Sequence, residues 1–260
     1  MQYSIDINIL AVTASLAVRF GVLAATLPLL DMKSVPPLWR LGLAFCFAAA
    51  LAPGVAAGLP AGAISMSWQS IVVEGVRSLV VGAMLGFTVN LVFIAVRYAG
   101  SVAGMQIGFA IVNSYDPMSN SQVSVISQLY YLLAVLLFFV TGAYQILVTA
   151  MFKSCVVIPP FATFSPVGGA WQILQEYGSI FVLGLRISAP VVLVLLLVSA
   201  SMGIVVKTVP QINILVVGFP IKIAVGLITL GLSLVFFRTI VINMLAGMSE
   251  QLARLLLAMR

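Results

Sequence analysis

Histidine is absent from this 260-residue chain, and Asp and Glu together number only six. Without imidazole, histidine-based acid–base catalysis and histidine metal sites are excluded. The three aspartates end at Asp116. Tyr115–Asp116 is similar to half of an intramembrane aspartyl protease site, but that chemistry needs a second aspartate to share the proton. No G-x-x-x-x-G-K-[ST] occurs, so no nucleotide is cradled that way. With so few acids and none paired in an evident site, no enzyme and no cofactor are expected. Charge itself is scarce. The charged fraction is 7%, whereas a soluble domain carries about 25%, so this surface could not be kept in water. Cys46 and Cys155, far apart and each in apolar sequence, fit no metal spacing and read as free and buried. A basic stretch before the first apolar run is also missing, since Asp6 is the only charge before Arg19; no cleavable signal is expected.

What the chain has instead is apolar length. Hydrophobic residues make up 63% and mean hydropathy is +1.24. Six runs reach the roughly 20 residues a membrane span needs: 9–30, 41–64, 71–96, 125–152, 179–206 and 212–237. The expected fold is therefore an all-α polytopic membrane protein of about six hydrophobic helices. The diprolines Pro36–Pro37 and Pro159–Pro160 cannot continue a helix and mark boundaries. After the last run, Leu245, Met248, Leu252, Leu255, Leu256 and Met259 repeat at helical spacing, opposite Asn243, Glu250 and Arg254. That pattern predicts an amphipathic helix for a membrane surface or a partner. Loop charges fix no orientation. With six spans, Lys153, Arg238, Arg254 and Arg260 oppose Lys33, Arg40, Arg97 and Lys207. The net charge of +6 is scattered rather than clustered, which suits anionic lipid and argues against nucleic acid.

Several charges stand where lipid should be. Arg19 lies midway along the first run, Lys222 as deep in the sixth and Arg186 in the fifth. A basic residue at the centre of a span costs about 2.5–3.5 kcal/mol. Arg77 and Arg97 are placed to snorkel towards an interface, and Glu74 could pair with Arg77 three residues on. Arg19 and Lys222 call for helices facing protein or a wet channel. The third run adds two rows of small residues at four-residue spacing: Ser78, Gly82, Gly86 and Asn90, then Gly100, Gly104 and Gly108. Such rows let membrane helices approach closely. If 71–108 is one helix it is about 57 Å long, nearly twice the hydrocarbon thickness. Either it breaks or much of it stands outside the bilayer. Between it and the fourth run lies "GFAIVNSYDPMSNSQ" (108–122), polar but with one charge.

Two functional classes remain, a secondary transporter and a structural subunit of a pore or export machine. A transporter should show two related halves, and no repeat of that period is found; it stays the alternative.

The stretch "IVVKTVPQINILVVGFPIK" (204–222) strongly resembles the FliR family of flagellar export-gate proteins, whose counterparts in injectisomes form the SctT family. Further matches are the diproline loop ending in Arg40, Glu74–Gly75 with Gly82 and Gly86, and Ala99–Gly100 with Gly104 and Gln106. Asp116–Pro117, Ser154 before Pro159, and Ala189–Pro190 complete the set. Gly218–Phe219–Pro220 is spelled as in flagellar members. One departure is Thr141–Gly142–Ala143–Tyr144, where family members often carry an Asn–Gly–His-like element; a role for that histidine cannot apply here.

The resemblance implies a spiral assembly of tilted hairpins. Residues 1–178 would be FliP-like, and 179–260 a FliQ-like hairpin plus the amphipathic tail. FliP-like and FliQ-like subunits would complete a ring in the bacterial inner membrane at the flagellar basal body, through which unfolded export substrates pass. Residues 106–122 would form an inward plug, with Phe109, Ile111, Val112, Asn113, Ser114, Tyr115, Asp116, Pro117 and Met118 filling the lumen. The hairpin tip, with Lys207, Pro210, Gln211 and Asn213, would face the cytoplasm near a FlhB-like switch protein. Arg19, Glu74, Arg77, Arg186 and Lys222 would be buried or meet partners.

Overall fold

The computed structural model describes residues 7–27, 36–60, 67–108, 124–208 and 214–260. These residues form seven helices and no strand: α1 (Ile7–Thr26), α2 (Pro37–Ala57), α3 (Trp68–Ile107), α4 (Val125–Val140), α5 (Ala143–Val157), α6 (Pro166–Thr208) and α7 (Ile214–Ala258). The protein is an all-α polytopic membrane protein. Five helices are long and apolar enough to cross a bilayer, or six if α4 and α5 count as one bent span.

The proline boundaries act as their chemistry dictates. Pro36 precedes α2 in an extended conformation and Pro37 opens it, where the missing N–H costs nothing. Pro159 and Pro160 lie between α5 and α6. Three helices outrun the apolar runs. α3 has 40 residues, α6 has 43 and α7 has 45, so at 1.5 Å per residue each is about 60–68 Å long. The hydrocarbon core is about 30 Å thick. α3 is one unbroken helix through the first glycine row and through Gly100 and Gly104 of the second; Gly108 lies just past its end.

The fourth run does the opposite. It divides at Thr141–Gly142 into α4 and α5. Gly142 takes φ +73°, a left-handed conformation that glycine adopts freely. Hydropathy does not register this break, because both flanks are apolar.

Two other expectations are corrected. The amphipathic tail is not a separate surface helix: α7 runs through it to Ala258. Its apolar face is covered by this same chain, with Leu245, Met248, Leu252, Leu255, Leu256 and Met259 all buried. Gly168 on α6 admits the carbonyl of Ala258, and Ser165 N–H donates to the Met259 carbonyl at 2.8 Å. Of the two free cysteines only Cys155 is buried; Cys46 is exposed on α2. Apolar neighbours in sequence show that a residue is in an apolar helix, not which face it takes.

The chain forms two compact units. The first is Met1–Leu91, Gly142–Tyr177 and Ala246–Arg260; the second is Val92–Thr141 and Gly178–Leu245. In the first, α1 packs along α2 and α3, burying Val12, Leu16, Phe20 and Leu23 with Ala48, Val81 and Leu85. In the second, Phe93, Tyr130, Phe138, Ile187, Val191, Leu195, Phe237 and Val241 are buried.

Candidate functional site

The buried charges of the described residues are Arg19, Glu74 and Arg77, and all three lie in the first unit. Their meeting begins with glycine. A Cβ at Gly82 would strike the carbonyl of Arg19, and one at Gly86 would strike the Thr26 hydroxyl, so only glycine lets α1 lie this close to α3. Close approach brings two i, i+4 pairs together, Ser15 with Arg19 on α1 and Glu74 with Ser78 on α3.

The Glu74 carboxylate is surrounded by donors. Ser15 Oγ donates to Oε1 at 2.7 Å and Ser78 Oγ lies 3.1 Å from the same oxygen. Arg77 Nη1 and the Phe161 backbone N–H donate to Oε2 at 3.2 and 2.8 Å. Arg77 also donates from Nη2 to the Pro159 carbonyl at 3.3 Å, and its guanidinium sits 5.1 Å from the Phe164 ring centroid. Arg19, fully buried, donates from Nη1 to the carbonyls of Ser154 and Ile158, both at 3.0 Å. Those carbonyls end α5, where the negative end of the helix dipole favours a cation; the Ser154 carbonyl also accepts the Ile158 N–H at 3.1 Å. Two guanidiniums against one carboxylate leave a net charge of +1.

This arrangement has no nucleophile–base pair, and among the described residues no group of side chains could hold a metal. What it does is mechanical. It ties the diproline link after α5 to α1 and α3 through charge-assisted hydrogen bonds in a low-dielectric setting.

Of the five charged residues singled out in the sequence, the structure brings Arg19, Glu74 and Arg77 together. Arg186 is exposed on α6 and Lys222 is half-buried on α7. Arg77 does not snorkel: its side chain is 5% exposed and ion-paired with Glu74. Arg97 is exposed, with its guanidinium 4.0 Å from the Tyr131 ring centroid. Sequence reading missed Ser15, Ser154, Phe161 and Phe164 as members of the cluster. Ser15 was open to detection, since it stands one helical turn before a deep arginine. The backbone groups of 154–161 carry no such signal.

The glycine rows divide between partners. Gly82 and Gly86 receive α1. Gly100 receives the Ser127 backbone, with a Cβ there only 2.5 Å from Ser127 Cα, and Gly104 receives the Ser124 hydroxyl. Gly108, at φ +104°, ends the described part of α3's exit and faces the Phe219 ring of α7, 3.4 Å from where a Cβ would stand. The plug residues Phe109, Ile111, Val112, Asn113, Ser114, Tyr115, Asp116, Pro117 and Met118 lie outside the described residues. So do Pro210, Gln211 and Asn213 of the hairpin tip; Lys207 is described and exposed.

Residues 10–248 match the family described as bacterial export proteins, family 1. The chain belongs to this family. The match includes every residue of the charge cluster and both glycine rows. The chain is 31% identical over 242 residues to the flagellar biosynthetic protein FliR of Bacillus subtilis, covering 92% of each chain. It is 32% identical over 217 residues to the FliR of Escherichia coli K12, covering 80% of this chain and 78% of that one. It is also similar to the Yop proteins translocation protein T of Yersinia pestis, at 26% identity over 152 residues and 58% of each chain. The relatives thus carry both flagellar and translocation names.

Proposed function

We propose that this protein is a structural, non-enzymatic subunit of the flagellar type III export gate in the bacterial cytoplasmic membrane. With FliP-like and FliQ-like subunits it forms the pore through which unfolded flagellar proteins leave the cell. Membership of the bacterial export family carries the reading, and the longer, closer match to flagellar FliR proteins favours the flagellar system over the injectisome. The packing is consistent with it. Only 11% of the apolar window of α6 is covered by this chain, and α6 is about twice as long as a bilayer core is thick. Apolar surface beyond the hydrocarbon layer must be covered by other protein.

Three finer assignments belong to this proposal. Residues 1–178 are FliP-like and 179–260 FliQ-like. Residues 109–118 plug the closed pore: Phe109, Ile111, Val112, Tyr115 and Met118 supply volume without a charged barrier. The tip Lys207–Asn213 faces the cytoplasm beside a FlhB-like switch protein. The deciding experiment is affinity purification of the tagged chain from its own bacterial membrane in mild detergent. Two small multi-span proteins should accompany it. A lone chain that transports a solute in liposomes would overturn the export-gate reading in favour of a secondary transporter.

A further inference from the structure

Within the first unit, α2 and α5 border an open groove of about 650 Å³, inside the roughly 300–1,000 Å³ range of ligand clefts. Leu51 and Val55 form one wall, Phe152 and Val156 the other. A Cβ built on Gly54 would meet nothing within 4 Å. At Gly82 and Gly100 the room left by the missing side chain is taken by backbone of the same chain; at Gly54 it stays open.

Lys153 borders this apolar groove and also a second cleft of about 270 Å³ on the other flank of α5, lined by Gln145, Thr149 and Ser249. Gln145, Thr149 and Lys153 stand in one i, i+4 row. The Thr149 and Ser249 hydroxyls donate to their own helices, to Gln145 O at 2.8 Å and Ala246 O at 3.1 Å. The Gln145 amide likewise donates from Nε2 to the Tyr144 hydroxyl at 3.4 Å, so the outward cationic donor is the lysine ammonium. Lys153 is exposed, and among the described residues it has no carboxylate within ion-pair reach.

We propose that this groove and its lysine bind one anionic phospholipid, with an acyl chain over Gly54 between α2 and α5 and the phosphate at Lys153. The charge pattern favours lipid over a partner helix. A partner helix would have to bring an acidic side chain into an apolar environment, which is costly. A lipid carries its negative phosphate at the level where a lysine can reach it, its stem lying along the apolar wall.

The test uses the full chain, with the subunits that co-purify, in phosphatidylcholine nanodiscs containing phosphatidylglycerol with a diazirine on its acyl chain. Photolysis should label peptides 51–59 and 152–159, and unlabelled phosphatidylglycerol should compete better than unlabelled phosphatidylcholine. Lys153→Gln should reduce that headgroup preference about fivefold, the worth of one lysine near an anionic surface, while Lys153→Arg keeps it. Gly54→Leu, whose Cβ would enter open space, should abolish labelling of both peptides and leave subunit co-purification unchanged. Equal competition by the two lipids, or labelling untouched by Gly54→Leu, would overturn the proposal. Groove peptides that stay unlabelled while cross-linking to a protein subunit would overturn it too and assign the groove to that subunit. None of these readouts depends on export, so the site can fail while the gate reading stands, and the reverse.

Discussion

Both compact units draw on α3, and both use its glycines to bring another helix close, yet they bury opposite kinds of chemistry. In the first, the glycines admit α1, and beyond the contact lies a hydrogen-bonded cluster of two arginines, a glutamate and serines. In the second, the glycines admit the start of α4, and the interior is aromatic. Phe93 lies 6.1 Å from Tyr131 and 5.8 Å from Phe138 between ring centroids, and Tyr130 lies 4.7 Å from Phe237. The difference teaches where charge can be kept from water. Glu74 has four donors from α1, α3 and the link after α5, and Arg19 has two carbonyls at the end of α5. In the second unit the corresponding cation, Arg97, stays exposed and rests on the face of Tyr131.

The contrast predicts that the first unit responds to charge and the second to volume. The largest effect is expected for Glu74→Gln, which leaves two guanidiniums facing each other without a counter-charge. Removing one partner of a buried pair costs about 3–5 kcal/mol. The midpoint of unfolding in a detergent titration should fall steeply, and Glu74→Asp should recover part of it. Next come Gly82→Leu and Gly100→Leu, one in each unit, each forcing a side chain into backbone. Overpacking costs about 1–3 kcal/mol. Similar losses in both would show that close approach is the shared device, whereas a loss at one glycine alone would end the comparison.

Ile187→Val should cost less, about 0.5–1.5 kcal/mol, by opening a small void in the second unit. The value belongs at the low end where lipid tails are as apolar as the side chain. Its effect should not change with ionic strength. The smallest effect is expected for Glu250→Gln. This residue pairs with Arg254 at 3.6 Å, but the two side chains are 73% and 55% exposed, and exposed pairs contribute about 0–1 kcal/mol. A shift as large as that of Glu74→Gln would mean that burial is not what separates the two pairs.

Much of the fold was legible in local sequence. Scarce charge and long apolar runs dictated an all-α membrane protein, the diprolines marked two boundaries, and the four-residue glycine rows announced close helix contacts. The candidate cluster was half legible. Glu74 and Arg77 are three residues apart on one helix, and Arg19 stood out because a charge in mid-span needs an explanation.

Tertiary structure decided the rest, because the determining partners are far apart in the chain. The two carbonyls that hold Arg19 belong to residues 135 and 139 positions away, and backbone acceptors look alike in any sequence. The helix break at Gly142 hides between two apolar flanks, since hydropathy measures transfer to lipid and not backbone conformation. The amphipathic tail shows the same limit. Its periodicity fixed which face would be covered, while only the packing of α7 against Gly168 decided that the cover is the chain itself.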